Sequence, residues 1–317
     1  MRTIDWVDGA IELIDQTRLP DACVTLRVHT VDELIGAIRR LAVRGAPALG
    51  VAGALGVALA RGDREAVARL RAARPTAVNL AWGVDRAAAR IEEGPEAVLE
   101  TALQVRDDDI AACHAMGERG ADLLQGDLLQ GDRLRIMTVC NTGGLACVER
   151  GTALGVAQTL HERGRLAEVL ALETRPLLQG ARLTAWELGR MGAPHRLVTD
   201  GAGPYLLARG GVDAVLIGAD RIAANGDTAN KIGSYALALG AARAGVPFIV
   251  VAPESTIDAA TPSGEHIEIE DRGADEIVAF RGARVAPEGT DAINPAFDVT
   301  PHDLITAIVT EARVIRP

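Results

Sequence analysis

An alternation of short apolar runs and helical stretches over residues 135–251 constrains the fold most strongly. Buried parallel strands read as continuous apolar runs, and the helices between them cover both faces of the sheet. Each run here is short enough for a strand, and a segment with helical spacing follows it. The alternation predicts a doubly wound parallel sheet with strands at 135–140, 168–172, 196–199, 212–217 and 247–251.

The chain before this alternation has a different pattern. Helical spacing of apolar residues predicts helices over 31–41, 48–60, 80–92 and 96–117. The five-residue sequence LLQGD occurs twice in a row at 123–132, which indicates a helix end running into a turn. A length of 317 residues suits two domains. We therefore predict an α/β protein with a small, mostly helical N-terminal domain (1–126) and a Rossmann-like parallel-sheet catalytic domain (127–317).

The end of the chain carries a helix-start signal. Thr300 can serve as an N-cap, Pro301 suits the first helical position, and Asp303 falls in the first turn. These residues predict a final helix after position 300.

Charge and cysteine usage exclude several classes of protein. The formal net charge of −10 argues against a general nucleic-acid binder. The longest uncharged stretch of the first half, residues 46–60, is too short to span a membrane confidently, and the N-terminus lacks a signal pattern. The cysteines form no CxxC pair and the six histidines show no ligand spacing, so we expect a cytoplasmic protein with reduced thiols and no metal. The four cysteines are Cys23, Cys113, Cys140 and Cys147.

The basic residues are unevenly chosen, because 32 of the 33 are arginine and Lys231 is the single lysine. Codon bias in a GC-rich genome accounts for the arginines, but it does not explain why one lysine was kept. Lys231 follows Asn230 where we predict a helix to start, and a lysine there suits a phosphate. The alternative is a solvated surface lysine, although such positions elsewhere in this chain carry arginine.

Ligands of such a sheet bind beyond the carboxyl ends of its strands. The predicted strand ends carry polar or reactive side chains. Neither a G-x-G-x-x-G motif nor a P-loop motif follows the first strand, and the missing G-x-G-x-x-G motif argues against a nicotinamide oxidoreductase. Asn141-Thr142-Gly143-Gly144 offers backbone donors for an anion at a predicted helix start, or simply makes a tight turn. The strand ends are Cys140-Asn141, Glu173-Thr174-Arg175, Asp200-Gly201, Asp220-Arg221 and Pro253-Glu254.

Two strand-end residues are candidates for chemistry. Cys140 is either a small buried apolar residue or a thiol whose pKa is lowered beside a helix start. Asp220 is either a structural N-cap or, after five apolar residues, a half-buried acid with a raised pKa.

Five blocks of sequence resemble the methylthioribose-1-phosphate isomerase family, and they span residues 44 to 301. The two longest blocks are highly specific. The family shares its fold with ribose 1,5-bisphosphate isomerases and with regulatory subunits of the guanine-exchange factor of translation initiation. The blocks are RGAPALG (44–50), CNTGGLA (140–146), ETRPLLQGARLTAWEL (173–188), GADRIAANGDTANKIG (218–233) and NPAFDVTP (294–301).

The resemblance implies roles for particular residues. The catalytic cysteine falls on Cys140 and the catalytic aspartate on Asp220. The family commonly has histidine where this chain has Val139 and alanine where it has Gly144, and the segment between Arg44 and Arg74 is short for the family. These departures leave the Cys/Asp pair intact. Substrate contacts fall on Arg44, Gly45, Ala46, Arg74, Gln179, Asn230 and Lys231.

The implied activity is isomerisation of a 5-substituted 5-deoxyribose 1-phosphate to the ribulose 1-phosphate, as in methionine salvage. The resemblance implies a homodimer, a small sugar phosphate as the partner molecule and no cofactor. It leaves open whether the substrate carries a methylthio group, a hydrogen or a second phosphate at carbon 5. A regulatory subunit that binds without catalysis is the other reading, and it would need neither Cys140 nor Asp220.

Overall fold

A computed structural model describes residues 1–75, 77–280 and 282–317. Thr76, two residues after the predicted contact Arg74, lies outside the described residues. The strands are β1 Ile4–Val7, β2 Ala10–Ile14, β3 Thr25–Val28, β4 Leu134–Thr138, β5 Leu166–Leu172, β6 His195–Val198, β7 Ala214–Ile217, β8 Arg221–Ala223, β9 Thr228–Lys231, β10 Phe248–Val251, β11 Ile257–Asp258, β12 Ala279–Phe280, β13 Ala283–Arg284, β14 Phe297–Thr300, β15 Ala307–Val309 and β16 Val314–Ile315.

The N-terminal part is a helical bundle beside a small antiparallel sheet of β1, β2 and β3. Its helices bear out the predicted helical pattern, and the sheet is an addition that the pattern did not predict. Alanine and glycine let α2 pack closely against α4 and α5, so α2 is buried on nearly every side. These helices are α1 Val31–Arg39, α2 Ala46–Ala60, α3 Arg64–Arg71, α4 Val78–Ala88 and α5 Pro95–Asp122.

The C-terminal part is built on a seven-stranded sheet in the order β16-β15-β10-β7-β4-β5-β6. All its pairs are parallel except β15 with β16. The parallel strands therefore follow the doubly wound order 3-2-1-4-5-6, and the order reverses between β4 and β7. All five predicted strands are present in this sheet. Its helices are α6 Ala153–Glu162, α7 Ala185–Met191, α8 Gly203–Arg209, α9 Ser234–Ala244 and the short α10 Asp275–Val278.

The predicted final helix is wrong. Thr300 ends β14, where it pairs with Thr228, and a single 3₁₀ turn at His302–Leu304 follows. The chain then enters β15, which pairs with β10 and extends the parallel sheet. Pairing along the edge of β10 therefore outweighs the local capping signal at Thr300 and Pro301.

A second sheet, in the order β11-β8-β9-β14, lies beside the carboxyl end of β7. The turn at Asn225-Gly226-Asp227 joins β8 and β9 as a hairpin, and Gly226 has a φ of +92°. The sequence did not predict this sheet, because its strands are two to four residues long and include polar side chains.

A π-helical turn at Leu123–Leu128 joins the two parts of the chain. It continues α5 into the LLQGD repeat, and the predicted boundary after residue 126 falls inside it. Among the helices of the described ranges, none is long and apolar enough to cross a membrane.

Candidate active site

The two predicted catalytic residues flank the point where the strand order reverses. Cys140 comes two residues after β4 and Asp220 three residues after β7, and β4 pairs with β7. A doubly wound sheet opens a crevice outside its carboxyl ends at such a point. The topology therefore directs a thiol and a carboxylate into one crevice.

A single cavity in this crevice is lined by all nine predicted site residues. The N-terminal part supplies four of them, in the loop before α2, its first turn and the segment before α4. The structure therefore brings together the residues that the sequence analysis selected. The role of each residue stays a prediction. The nine are Arg44, Gly45, Ala46, Arg74, Cys140, Gln179, Asp220, Asn230 and Lys231.

The backbone around Cys140 is held in an uncommon conformation. Cys140 has a φ of +65° and Thr174, at the end of the neighbouring strand β5, has a φ of +66°. The Cys140 N–H donates to Thr174 Oγ1 (2.8 Å), and the Cys140 carbonyl accepts from Thr184 Oγ1 (2.6 Å). Left-handed non-glycine residues cost about 1–3 kcal/mol each and cluster at functional sites. Hydrogen bonds on both sides of Cys140 thus hold its thiol in place.

Arg44 reaches the cavity from the loop between α1 and α2. In the amide orientation that satisfies both groups, Gln179 accepts from Arg44 Nη2 (2.6 Å) and donates to the Thr174 carbonyl (3.2 Å). Arg74 Nη1 lies 3.5 Å from the carbonyl oxygen of Arg44, so a second guanidinium adjoins the first. Gln179 therefore links the cationic loop to the strand end beside Cys140.

Lys231 ends strand β9, which corrects its predicted place at a helix start, since α9 begins at Ser234. Pairing of β9 with β14 puts Lys231 opposite Phe297. Its Nζ donates to the Ala296 carbonyl (2.7 Å) and lies 4.5 Å from the centre of the Phe297 ring. The side chain is buried rather than solvated, and the neighbouring Asn230 is held by its bond to Ser234 Oγ (2.8 Å).

Burial raises the pKa of the Cys140 thiol, and the nearby Asp220 adds to the rise, while Lys231 and Arg44 oppose it. The prediction that a helix start would lower this pKa is wrong, because α6 begins only at Ala153. The neutral thiol is therefore the favoured form of Cys140. Lys231 and Arg44 act in the other direction and stabilise its thiolate form.

Burial also raises the pKa of Asp220, against the opposing effects of Lys231, Arg74 and Arg44. This direction agrees with the interpretation of Asp220 as an acid with a raised pKa, and its role stays a prediction. Burial lowers the pKa of Arg44 to about 10, so its guanidinium stays charged at neutral pH. Burial likewise lowers the pKa values of Lys231 and Arg74. In this cavity, two acids whose neutral forms are favoured lie beside the buried Lys231 and the half-buried Arg44 and Arg74. This arrangement suits an anion.

The structure also corrects the helix start that we predicted after Asn141–Gly144, where backbone N–H groups were expected to bind an anion. A 3₁₀ turn at Gly144–Ala146 follows it instead of a helix, and the Leu145 N–H points to the carboxylate of Glu187 (3.3 Å). Asn141 Nδ2 donates to the same carboxylate (2.7 Å). A Cβ on Gly143 would lie 2.4 Å from Glu187 Oε1. These donors therefore hold an internal carboxylate.

Sequence reasoning missed three residues of the site. Thr174 and Glu187 support the Cys140 loop, and Phe297 lines the cavity beneath Lys231. All three lie inside blocks that carried the resemblance, at 173–188 and 294–301, and this was the available signal.

This chain is similar to known proteins over nearly its whole length. A probable bifunctional methylthioribose-1-phosphate isomerase/methylthioribulose-1-phosphate dehydratase of Nocardia farcinica is 53% identical over 99% of this chain, which spans 60% of that relative. The methylthioribose-1-phosphate isomerase of an Anaeromyxobacter species is 53% identical, with 100% of this chain and 95% of the relative covered. The 5-deoxyribose 1-phosphate isomerase of Moorella thermoacetica is 49% identical, with 99% and 94% covered.

Two crystal structures have the same fold. That of 5-methylthioribose 1-phosphate isomerase from Pyrococcus horikoshii superimposes with a TM-score of 0.92 at 38% identity, covering 100% of this chain and 92% of the other. That of the translation initiation factor eIF-2B delta subunit from A. fulgidus gives 0.88 at 41%, covering 100% and 96%. The model of the initiation factor 2 subunit family matches residues 42–317. The chain therefore belongs to the initiation factor 2 subunit family and, within it, to the methylthioribose-1-phosphate isomerases that its motifs resemble.

Proposed function

We propose that this protein is an aldose–ketose isomerase that converts 5-methylthioribose 1-phosphate to 5-methylthioribulose 1-phosphate, a reaction of methionine salvage. The observation that carries the proposal is the single cavity in which Cys140 and Asp220 meet Arg44, Arg74 and Lys231. Relatives named for this activity at 53% identity support it.

The buried basic side chains are the groups that hold the phosphate. Arg44 and Lys231 enter the cavity from opposite parts of the chain, and both sit where water is largely excluded. A dianion between them gains more from each charge than it would in water. This binding also orients the sugar and stabilises charge that develops during the reaction.

Ring opening needs an acid, because the phosphate on carbon 1 blocks a free aldehyde. Asp220 in its protonated form gives its proton to the ring oxygen as the bond from that oxygen to carbon 1 breaks. Burial raises the pKa of Asp220 and so favours this protonated form.

Hydrogen then moves from carbon 2 to carbon 1 by one of two routes. In the first, Cys140, in the thiolate form that Lys231 and Arg44 favour, removes the carbon 2 proton to give an enol. It then returns that proton to carbon 1 while the Asp220 carboxylate left by ring opening takes the carbon 2 hydroxyl proton. In the second, hydride passes directly from carbon 2 to carbon 1 while a base takes the carbon 2 hydroxyl proton. Substrate deuterated at carbon 2 separates them in ordinary water, since full retention of the label excludes an exchanging enolate.

A recess beside the cavity is the proposed place for the group at carbon 5. Leu49, Val78, Ile267, Ile269 and Phe297 give it an apolar lining. Its charged groups nearly balance, because Glu268 and Glu270 line it together with Arg44, Arg74 and Arg221. The apolar lining supports a methylthio or methyl group at carbon 5.

Turnover of four ribose 1-phosphates tests the proposal, with methylthio, hydrogen, fluoro or phosphate at carbon 5. We expect the highest kcat/KM with the methylthio compound and the lowest with the bisphosphate. A higher kcat/KM for the 5-deoxy compound favours the activity named for the Moorella relative. No turnover of any of them favours a regulatory subunit.

The role assignments are tested by Cys140→Ser and Asp220→Asn. We expect each to lower kcat by at least about 10²-fold, the lower range of general acid–base assistance, while the fold persists by circular dichroism. The matched controls are Cys23→Ser and Asp132→Asn, at exposed positions, and both should keep normal rates. Near-normal kcat in either site variant contradicts its assigned role.

The homodimer and the cytoplasmic location belong to the same proposal. The resemblance supports the homodimer, and the cysteine usage supports the cytoplasmic location. Sedimentation equilibrium should give twice the chain mass of 33.1 kDa. Fractionation of cells should recover the protein in the cytoplasm. A single-chain mass, or recovery in another compartment, contradicts the respective part.

A further inference from the structure

A group of three possible metal ligands lies outside the proposed reaction. Asp109 and Cys113 stand four residues apart on α5 and so share one face of that helix. Cys147 ends the 3₁₀ turn in the loop that follows Cys140. One carboxylate oxygen and the two sulfur atoms all lie within 4.8 Å of one another.

The surroundings of the three groups resemble the outer shell of a metal site. The Val148 N–H donates to Asp109 Oδ2 (2.9 Å), which leaves Oδ1 to act as a ligand. The Gly151 N–H points to the Cys113 sulfur. Hydrogen bonds of this kind orient ligands and stabilise their charged forms. Both thiols are fully buried.

The charges that act most strongly on the two sulfurs are acidic. Asp109 and Glu311 act on Cys113, and Asp109 and Glu187 act on Cys147. The two thiols hydrogen-bond each other, which raises the pKa of Cys147 and lowers that of Cys113, while burial and the nearby acids raise the pKa values of both. Burial raises the pKa of Asp109 to about 7. A bound cation would favour the deprotonated forms of all three groups.

We infer that Asp109, Cys113 and Cys147 form a binding site for one divalent cation of the zinc type. Two sulfurs and one carboxylate suit Zn²⁺, Co²⁺ or Cd²⁺, whereas Mg²⁺ and Ca²⁺ prefer oxygen. Tetrahedral bonds of ~2.3 Å to sulfur and ~2.1 Å to oxygen need ligand atoms ~3.5–3.8 Å apart, so a contraction of about 1 Å or less completes the geometry. On binding, each thiol releases one proton to solvent and becomes a thiolate.

A groove gives the cation a path to the site. Asp108, Asp109 and Glu311 line the groove beside Trp82 and Arg86. Arg86 is already paired with Asp108 (2.9 Å) and lies over the Trp82 ring. The groove can thus bring a hydrated cation to Asp109, whereas the two cysteines are buried and do not line it.

Cobalt binding to the reduced, metal-stripped full-length protein tests the inference. We expect one equivalent of Co²⁺ to give thiolate-to-cobalt charge-transfer bands and intense tetrahedral ligand-field bands, both removed by Zn²⁺. The double variant Cys113→Ala/Cys147→Ala should lose them, and Asp109→Asn should weaken binding at least about tenfold, within the usual range for removing one charged ligand. Cooperative urea unfolding without metal shows whether each variant still folds.

Two controls separate this site from other thiols. Cys140→Ser and Cys23→Ser should bind Co²⁺ with unchanged stoichiometry and spectrum. Bands that persist in the Cys113/Cys147 double variant overturn the inference. So does a wild-type protein that forms a Cys113–Cys147 disulfide in air but binds no Co²⁺ when reduced. None of these readouts depends on isomerase activity.

Discussion

Lys231 shows how the site depends on the shape of a single side chain. Its ammonium lies between the Ala296 carbonyl and the face of the Phe297 ring, at the end of a fully buried strand. A guanidinium is planar and wider than an ammonium, so the two are not interchangeable in such a place. This packing gives a physical reason for one lysine in a chain that otherwise uses arginine.

We expect Lys231→Arg to raise KM and lower kcat/KM by about 10- to 100-fold, equivalent to losing one charge-assisted hydrogen bond. Lys231→Met, which keeps the length without the charge, should lose at least as much. Steady-state kinetics with the methylthio substrate measure both. If Lys231→Arg keeps normal kcat and KM, the shape of the lysine is irrelevant.

Glu187 is a buried acid whose hydrogen-bond partners are amides, namely those of Asn141 and Leu145. Burial raises its pKa from the ordinary 4.5 to about 7. The folded state therefore holds the proton more tightly than the unfolded chain does. The resulting stabilisation is complete below pH 4.5 and is lost as the pH rises to 7.

We expect the difference in unfolding free energy between the wild type and Glu187→Gln to change by about 2–3 kcal/mol between pH 5 and pH 8, to the disadvantage of the wild type. The magnitude comes from 1.36 kcal/mol for each unit of pKa shift. Urea titrations at the two pH values measure it. The exposed Glu265→Gln variant is the control and should track the wild type. An equal pH dependence in Glu187→Gln would show that this carboxyl does not titrate as described.

At the scale of elements, the start of α2 is pressed against the loop that follows Cys140. Gly45 caps α2 with an ordinary φ of −62°, so the backbone conformation itself would tolerate a side chain. A Cβ at this position would lie 2.2 Å from the Cα and the carbonyl oxygen of Ala146. The glycine is required because two backbones meet there.

We expect Gly45→Ala to shift α2 away from this loop and to lower kcat/KM at least about tenfold, as misplacement of site groups by 1 Å can. Gly36→Ala in α1 is the matched control, because nothing lies within 4 Å of its added Cβ. It should keep normal kinetics and gain about 0.5–1 kcal/mol of stability from helix propensity. Unchanged kinetics in Gly45→Ala would mean that the contact is not needed.

At the scale of the whole molecule, the cavity joins the two parts of the chain. Arg44 and Arg74 come from the N-terminal part, and Cys140, Asp220 and Lys231 come from the C-terminal part. A ligand in this cavity therefore stabilises both parts together rather than either one alone.

We expect product at 100 times its Kd to raise the unfolding free energy by about 2.7 kcal/mol. Hydrogen exchange should slow both in α2 and in residues 140–152. In Lys231→Met the same product concentration should have a much smaller effect. Slower exchange confined to the C-terminal part would contradict a shared site.

The sequence predicted the sheet where its signal was strong. Strands β4, β5, β7 and β10 are mostly apolar runs, and right-handed crossovers restrict the orders that parallel strands can take. Strand β9 reads Thr-Ala-Asn-Lys and was missed, because nothing local marks a polar segment as buried. Likewise, Thr300 and Pro301 carry a genuine helix-start pattern that long-range pairing overrides. The residues that line the cavity could be selected because most of them lie in long motifs. Their hydrogen bonds could not be predicted, because these join segments that are distant in the sequence.

The buried basic side chains have a consequence for the amount of enzyme in a cell. Lys231 donates to a carbonyl and Arg44 to an amide oxygen, and among the described residues neither pairs directly with a carboxylate. Under the proposed function, a bound sugar phosphate would supply that counter-ion and favour the folded state. We expect more molecules to open, and to become available to proteases, when the substrate is absent. Enzyme abundance would then follow substrate supply.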